Sequence, residues 1–316
     1  MLRLTHHHGI VVPALTRAFL PQVDAMPPRI SRRSLLMALA CGGVATTRAQ
    51  AGGLLRVAVP EDVALDYALF LAGRDVLTLH QFDGPHARRD VVELALLLRE
   101  VARSLVGTEV QLIRIDNYER SLLELRAGRI DVLGTTAWSN DLADLGNNAL
   151  LSAPLIANGD FVVGLFTAPN NTRAQQAHSL QDFQSLRFVS NRGWSADWRT
   201  LQALGVQSLM DVKTWRQMVL LVARGRADVL LAPFPKTPDL SFEAEGQRLV
   251  PLRGHTLALA GSRHLAAAAT PAGQAVAEKV FPALATLVST GGVRRAYQDC
   301  GFYNPRISGW RVVNAK

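Results

Sequence analysis

Eight residues of this chain have the types and positions needed to hold a small molecule: Glu61, Tyr118, Thr135, Thr136, Trp138, Arg192, Trp194 and Phe234. Trp138, Trp194 and Phe234 each stand in a loop after an apolar run. There they can clamp a flat or apolar guest, or a cation, or else pack within the fold. Arg192 lies beside Gly193 at an expected helix start, a setting for an anion, with a solvated surface Arg as the alternative. Glu61 and Asp62 suit an amine group or a helix cap. Tyr118 and Arg120 open another helix, where Arg120 can equally pair with Glu124 at i,i+4. Thr135 and Thr136 share the Trp138 loop. Trp198 and Trp215 fall inside expected helices and read as core.

Covalent or metal chemistry has little support. His80, His86, His178, His255 and His264 are scattered, with no HExxH spacing and no Gly-x-Ser-x-Gly elbow. No glycine run matches a phosphate-cradling loop. Catalytic residues, metal ligands and cofactors are therefore all expected to be absent.

The elements that position these loops are written twice. Gly128-Arg129-Ile130-Asp131-Val132-Leu133 recurs as Gly225-Arg226-Ala227-Asp228-Val229-Leu230. Each copy follows a stretch with helical spacing and runs into a short apolar strand and a loop with an aromatic, Trp138 or Phe234. Two α/β lobes are the expectation, with a groove between them. In order, the pattern predicts a strand over 54–59, a helix over 89–105, a strand over 109–115, a helix over 118–126 and a strand over 131–134. That β-α-β-α-β series favours a parallel sheet with helices on its faces. Residues 63–84 give no clear pattern and are placed at one mouth of the groove. Beyond them the reading has extended runs over 151–156 and 161–166, a strand over 187–190 and a helix to 204. A helix over 211–222, a strand over 227–231 and strands over 248–252 and 256–260 follow, with helices over 271–300. Asp131 and Asp228 precede their strands at the end away from the groove and read as structural. In open α/β sheets ligands sit outside the carboxyl ends of the strands, which selects the loops at 60–62, 135–138, 191–195 and 232–234.

The chain has 316 residues, 48% hydrophobic and 19% charged, with a net charge of +8. That is ample for a large core or two domains. The first 51 residues hold six Arg and one acid, Asp24. Setting them aside takes six from 34 basic and one from 26 acidic side chains, leaving +3. The basicity belongs to a leader, and no basic stripe interleaved with aromatics remains to suggest nucleic acid. Ser31-Arg32-Arg33-Ser34-Leu35-Leu36-Met37 resembles a twin-arginine export signal, and Ala49-Gln50-Ala51 suits cleavage after Ala51. Met26 is an alternative start, which would discard His6-His7-His8. Cys41 raises lipidation, but Ala38 stands where a lipoprotein signal has Leu. Past the leader, Cys300 is the sole thiol, so no intramolecular disulfide forms. No other segment is long and apolar enough to span a bilayer as a helix. A periplasmic product is expected.

The layout resembles the two-lobed, type 2 periplasmic solute-binding proteins, of the family 3 kind that bind amino acids for ABC transporters. An exported start leads into Leu55-Arg56-Val57-Ala58-Val59. Arg120 through Val132 matches the family's helix-Gly-x-x-Asp-Val segment, and Leu151-Ser152-Ala153-Pro154-Leu155 sits where the family has Phe-Ser-x-Pro-Tyr. Gly225-Arg226-Ala227-Asp228-Val229 matches its second-lobe segment, and Gly292 through Phe302 resembles its closing helix. The resemblance covers most of the chain past the leader. It implies lobe 1 from residues 52–160 plus 256–316, lobe 2 from 161–255, and crossovers near 161–167 and 256–262. It further implies a monomer that closes like a hinge on a small-molecule ligand and serves an ABC permease or a membrane sensor. The family's Thr-x-x-Arg would fall near Leu145, where there is no Arg, and Leu155 replaces the Tyr. The resemblance thus carries fold and binding role but not an α-amino-acid ligand. Some relatives are cyclohexadienyl dehydratases that use an acid in the cleft, and Glu61 is the candidate for that alternative.

Overall fold

The computed structural model describes residues 53–315. The leader features, from His6 to the cleavage site after Ala51, lie outside the described residues. Folding of the first lobe starts from β1 (Leu54–Val59), whose alternate side chains Leu55, Val57 and Val59 are buried. α1 (Glu61–Leu71) follows, closed by Ala72 in the left-handed region at φ 47°. The stretch that gave no pattern is thus helical at its start, because an Ala- and Leu-rich run needs no strict periodicity once Val63, Tyr67 and Phe70 find the core. α2 (Arg89–Ser104) buries Val91, Leu94, Leu97 and Val101, the i, i+3, i+4 stripe of an amphipathic helix. β2 (Glu109–Arg114), α3 (Tyr118–Arg126) and β3 (Val132–Leu133) complete the β-α-β-α-β series. The Asn117 side chain caps α3 by accepting from the Arg120 N–H at 2.8 Å. β4 (Ala137–Trp138), α4 (Ser139–Ala143) and β5 (Ala149–Leu151) lead to the first crossover.

The second lobe opens with β6 (Val162–Thr167), α5 (Thr172–Gln175), α6 (Leu180–Ser185), β7 (Arg187–Ser190) and α7 (Ser195–Leu204). β8 (Ser208–Asp211), α8 (Trp215–Ala223), β9 (Val229–Ala232), β10 (Phe242–Ala244) and β11 (Gln247–Ala258) follow. The helix expected from residue 211 starts at Trp215, because Thr214 caps it, and Ser208–Asp211 pairs in parallel with β7 instead. The chain then returns through β12 (Arg263–His264) and β13 (Ala266–Ala268) to three helices, α9 (Pro271–Lys279), α10 (Phe281–Ser289) and α11 (Gly292–Asp299), and ends at β14 (Arg311–Val312).

The two sheets repeat one plan. The first has the order β2-β1-β3-β13-β5 and the second β10-β11-β6-β9-β7-β8, with β14 on β11. In each, three strands run parallel in the order 2-1-3: β2, β1, β3 and β8, β7, β9. In each, the next strand is antiparallel, β13 in one and β6 in the other. The expected two-lobed α/β architecture is present. β6 lies wholly within the second sheet, so the first crossover falls between Leu151 and Val162. β14 joins β11, so the last residues lie with the second sheet rather than with the first.

The duplicated hexapeptide has a duplicated structural job. Asp131 accepts from Arg56 through its backbone N–H at 2.9 Å, Nε at 2.9 Å and a terminal nitrogen at 2.8 Å. Asp228 accepts from Arg187 through the same three groups at 2.9, 3.0 and 2.8 Å. Each Arg also donates to the Gly carbonyl that opens the motif, Gly128 or Gly225. Each fork ties the first parallel strand to the turn before the third. Burial opposes ionisation of Asp228, but Arg187 overcomes it and holds the carboxyl down at about 2. One apolar cluster runs through both lobes, from Val57 and Leu94 by way of Phe161 and Val163 to Phe188 and Leu201.

Candidate functional site

The loops at the carboxyl ends of the parallel strands approach one another across the groove, and α2 begins there too. The turn after β3 is bound into a buried polar network. Glu93, fully buried on α2, accepts from the Thr136 backbone N–H at 2.8 Å, the Thr136 hydroxyl at 2.9 Å, Arg89 at 2.9 Å and the Tyr297 hydroxyl at 3.0 Å. Four donors on one carboxylate offset the cost of burying it. Arg263, in the return crossover, donates from Nε to the Thr136 hydroxyl at 2.8 Å and also to the Thr136 carbonyl. Its guanidinium lies 4.7 Å from the Trp138 ring centroid and 5.7 Å from that of Phe161. Burial and the neighbouring Arg89 push the Arg263 guanidinium below its ordinary value, while Glu93 and Asp90 counter them. The face of Trp138 expected to receive a guest is therefore occupied by the chain's own cation.

Next to this network the lobes touch directly. The Tyr118 hydroxyl donates to Asp141 at 3.0 Å and accepts from the Trp138 N–H at 3.1 Å. Burial raises the Tyr118 phenol well above its ordinary value. From the second lobe, the Ser195 hydroxyl donates to the two Asp141 oxygens at 3.0 and 2.9 Å, and Arg199 reaches the same carboxylate at 3.4 Å. Two residues before Arg199, burial pushes the Asp197 carboxyl up to about 6, with Arg263 pulling the other way.

The remaining sequence candidates divide. Thr135 is half-buried beside Thr136. Glu61 is exposed and accepts from Arg114 at 2.9 Å. Arg192 stacks on Trp198 of its own lobe at 5.1 Å, and its backbone N–H donates to Asp211 at 3.0 Å. Trp194, 39% exposed, packs beside Trp215 with ring centroids 6.4 Å apart. Only Phe234 lines a cavity shared by both lobes.

That cavity has a volume of 460 Å³. Its walls are Gly84, Pro85, Arg88, Arg89 and Asp90 from the first lobe, Pro233, Phe234 and Lys236 from the second, Phe161 from the crossover, and Phe302. Hollows of 570 and 590 Å³ exist elsewhere. The first is lined by the crossover, α11 and the tail, and the second lies at the edge of the first lobe away from the groove, so neither joins the strand-end loops of two lobes. Lys236 spans the 460 Å³ cavity's rim, donating to the Gly84 carbonyl at 3.3 Å and the Ala87 carbonyl at 3.2 Å. Arg88 binds Asp66 at 2.8 Å, Asp90 at 3.2 Å and Asp62 at 2.6 Å. Arg89 pairs with Asp90 and Glu93 and lies 5.3 Å from the Phe161 ring centroid. Burial opposes charge on Arg89, but Asp90 and Glu93 hold it protonated. Sequence reasoning missed Arg89, Asp90, Phe161, Arg263, Lys236 and Phe302. Lys236 was within reach, two residues past Phe234 in a strand-end loop, and Arg89 marks the start of a clearly periodic helix. Among the described residues no group of three His, Cys, Asp or Glu is placed to hold a metal.

No protein-family model matches the chain, and no curated protein sequence matches it. Solved structures do. The BvgS VFT2 domain of Bordetella pertussis, as a double mutant, is 16% identical with a TM-score of 0.49, over 82% of this chain and 93% of that one. An amino acid ABC transporter substrate-binding protein from Streptococcus pneumoniae, bound to L-arginine, is 16% identical with a TM-score of 0.49, over 79% and 93%. An ArgBP mutant from T. maritima is 17% identical with a TM-score of 0.47, over 78% and 94%.

Proposed function

We propose that this chain is an exported solute-binding protein, which captures a small molecule between its two lobes and passes it to an ABC permease or reports it to a membrane sensor. The observation that carries the reading is the 460 Å³ cavity walled by both lobes and a crossover. Its size falls in the range of small-molecule sites, and it lies where strand-end loops converge in α/β folds. Two crossovers give the lobes the connecting segments a hinge uses. No helix of the described residues is long and apolar enough to cross a membrane. The engagement of Glu61 by Arg114, away from the cavity wall, favours binding over acid catalysis by that residue.

A thermal-shift screen of the full chain against amino acids, polyamines, organic acids and sugars tests this. A ligand that prefers the folded form raises the melting temperature with concentration, by an amount equivalent to about 2.7 kcal/mol at a hundredfold excess over Kd. Failure of every class to move the melt would sink the reading. Conversion of prephenate or arogenate to product would replace a receptor with an enzyme.

A further inference from the structure

The cavity wall has more to say about its guest. Its one carboxylate, Asp90, is spent: one oxygen accepts from Arg89 and the other from Arg88 at 3.2 Å. The carbonyls of Gly84 and Ala87 are taken by Lys236. Donors are in surplus. Lys236 has three N–H groups for two carbonyls and no carboxylate partner among the described residues, and Arg89 uses only its two terminal nitrogens. The apolar part of the wall is Phe234, Pro85 and Pro233, with Phe302 already under the Arg89 guanidinium at 5.9 Å. Arg88 is balanced by Asp62, Asp66 and Asp90 and Arg89 by Asp90 and Glu93, so among the described residues Lys236 is the wall cation without a carboxylate, and a cationic guest would meet it with no carboxylate free to receive the guest.

We infer that the guest is a small organic acid with a flat apolar body, its carboxylate held by Lys236 and the unspent Nε–H of Arg89 and its body lying against Phe234. The inference rests on the reading of this cavity as the ligand site. Binding an acid here closes the rim further, because Lys236 already bridges from the second lobe to the carbonyls of the first, and an anion beneath it strengthens that position.

Calorimetry on the full chain decides the matter. The probes are benzoate, phenylacetate and 3-phenylpropanoate, against the aromatic ammonium ions benzylammonium, 2-phenylethylammonium and 3-phenylpropylammonium. The acids bind and the amines do not. Lys236→Gln weakens acid binding roughly ten- to hundredfold, the loss of one charge-assisted hydrogen bond. Gln keeps N–H donors for the Gly84 and Ala87 carbonyls, and the variant's melting temperature without ligand, measured alongside, separates lost binding from lost folding. Affinity unchanged by Lys236→Gln overturns the inference, as does binding of the amines or sugars with none of the acids, and both outcomes leave the two-lobed receptor standing. Silence from every compound class overturns receptor and ligand class together.

Discussion

Replacing Asp228 by Asn tests whether the repeated hexapeptide is a structural clamp. The perturbation keeps the shape of the side chain and removes its charge. Arg187 then faces one neutral carbonyl in place of two anionic oxygens at 2.8 and 3.0 Å. A carboxyl held at about 2 against an ordinary 3.8 corresponds to about 2 kcal/mol of stability at neutral pH. Only 3% of the Asp228 side chain is exposed, so its own hydrogen bonds are little screened, whereas Arg187 is 42% exposed and its Coulomb contribution is discounted accordingly. The expected loss is therefore about 2 kcal/mol in urea unfolding at pH 7. The sign of the pH dependence is set by the lowered value. The stabilisation is complete above the unfolded carboxyl's range and is lost as pH falls through about 2. Roughly half of the difference between wild type and variant is gone by pH 3. Asp131→Asn repeats the effect in the first lobe, where Arg56 and Thr270 likewise hold the carboxyl below its ordinary value against the opposing effect of burial. The two losses add, because the residues share no partner and belong to different sheets. A variant as stable as wild type at pH 7, or a gap that persists undiminished at pH 3, refutes the clamp.

Three further substitutions probe the groove. Burial lifts Asp197 from 3.8 to about 6, so its ionised form is disfavoured in the fold. The penalty is absent below about pH 4, grows as pH rises through 6 and is complete above it. Asp197→Asn accordingly raises stability by up to about 3 kcal/mol at pH 7.5 and by almost nothing at about pH 3, read from thermal melts at the two pH values. Trp138 is 7% exposed under Arg263 and Phe161, and Trp138→Ala costs about 3–5 kcal/mol in urea unfolding; the same change at Trp194, 39% exposed, costs less than about 1 kcal/mol.

The architecture was legible because the chain states it in periodic terms. Val91, Leu94, Leu97 and Val101 mark α2, and the Gly-x-x-Asp pattern marks both third strands. Strands defined by pairing rather than by their own residues were not legible. β4 and β12 are two residues each, and they exist because Trp138 and Ala137 pair with Arg263 and His264. β8 was not legible either, because Ser208-Leu209-Met210-Asp211 has no strand signature of its own, and only the neighbouring edge of β7 makes it one. The network under the groove was hidden for a different reason. Glu93 meets Thr136 at a separation of 43 residues, and Arg263 meets it at 127, distances over which no local pattern carries information.

The fate of the aromatic candidates follows from that long-range pairing. The rule that ligands gather at strand ends selected loops that include Phe234, which walls the 460 Å³ cavity together with Lys236 and the start of α2. Residue type alone does not show which aromatic face is open, because such a face attracts any cation, including one on the same chain. Arg263 is covalently present at an effective concentration no free ligand matches, and its Nε bond to Thr136 fixes it over Trp138. Arg192 is taken by Trp198 in the same way. Phe234 escapes because its partners Phe166 and Trp310 are apolar, at 5.9 and 5.5 Å, which leaves its cavity side free of any cation stacked on the ring. A strand-end aromatic in a two-lobed fold is thus open to a guest only where no arginine of the chain reaches its face, a condition that Phe234 meets and Trp138 does not.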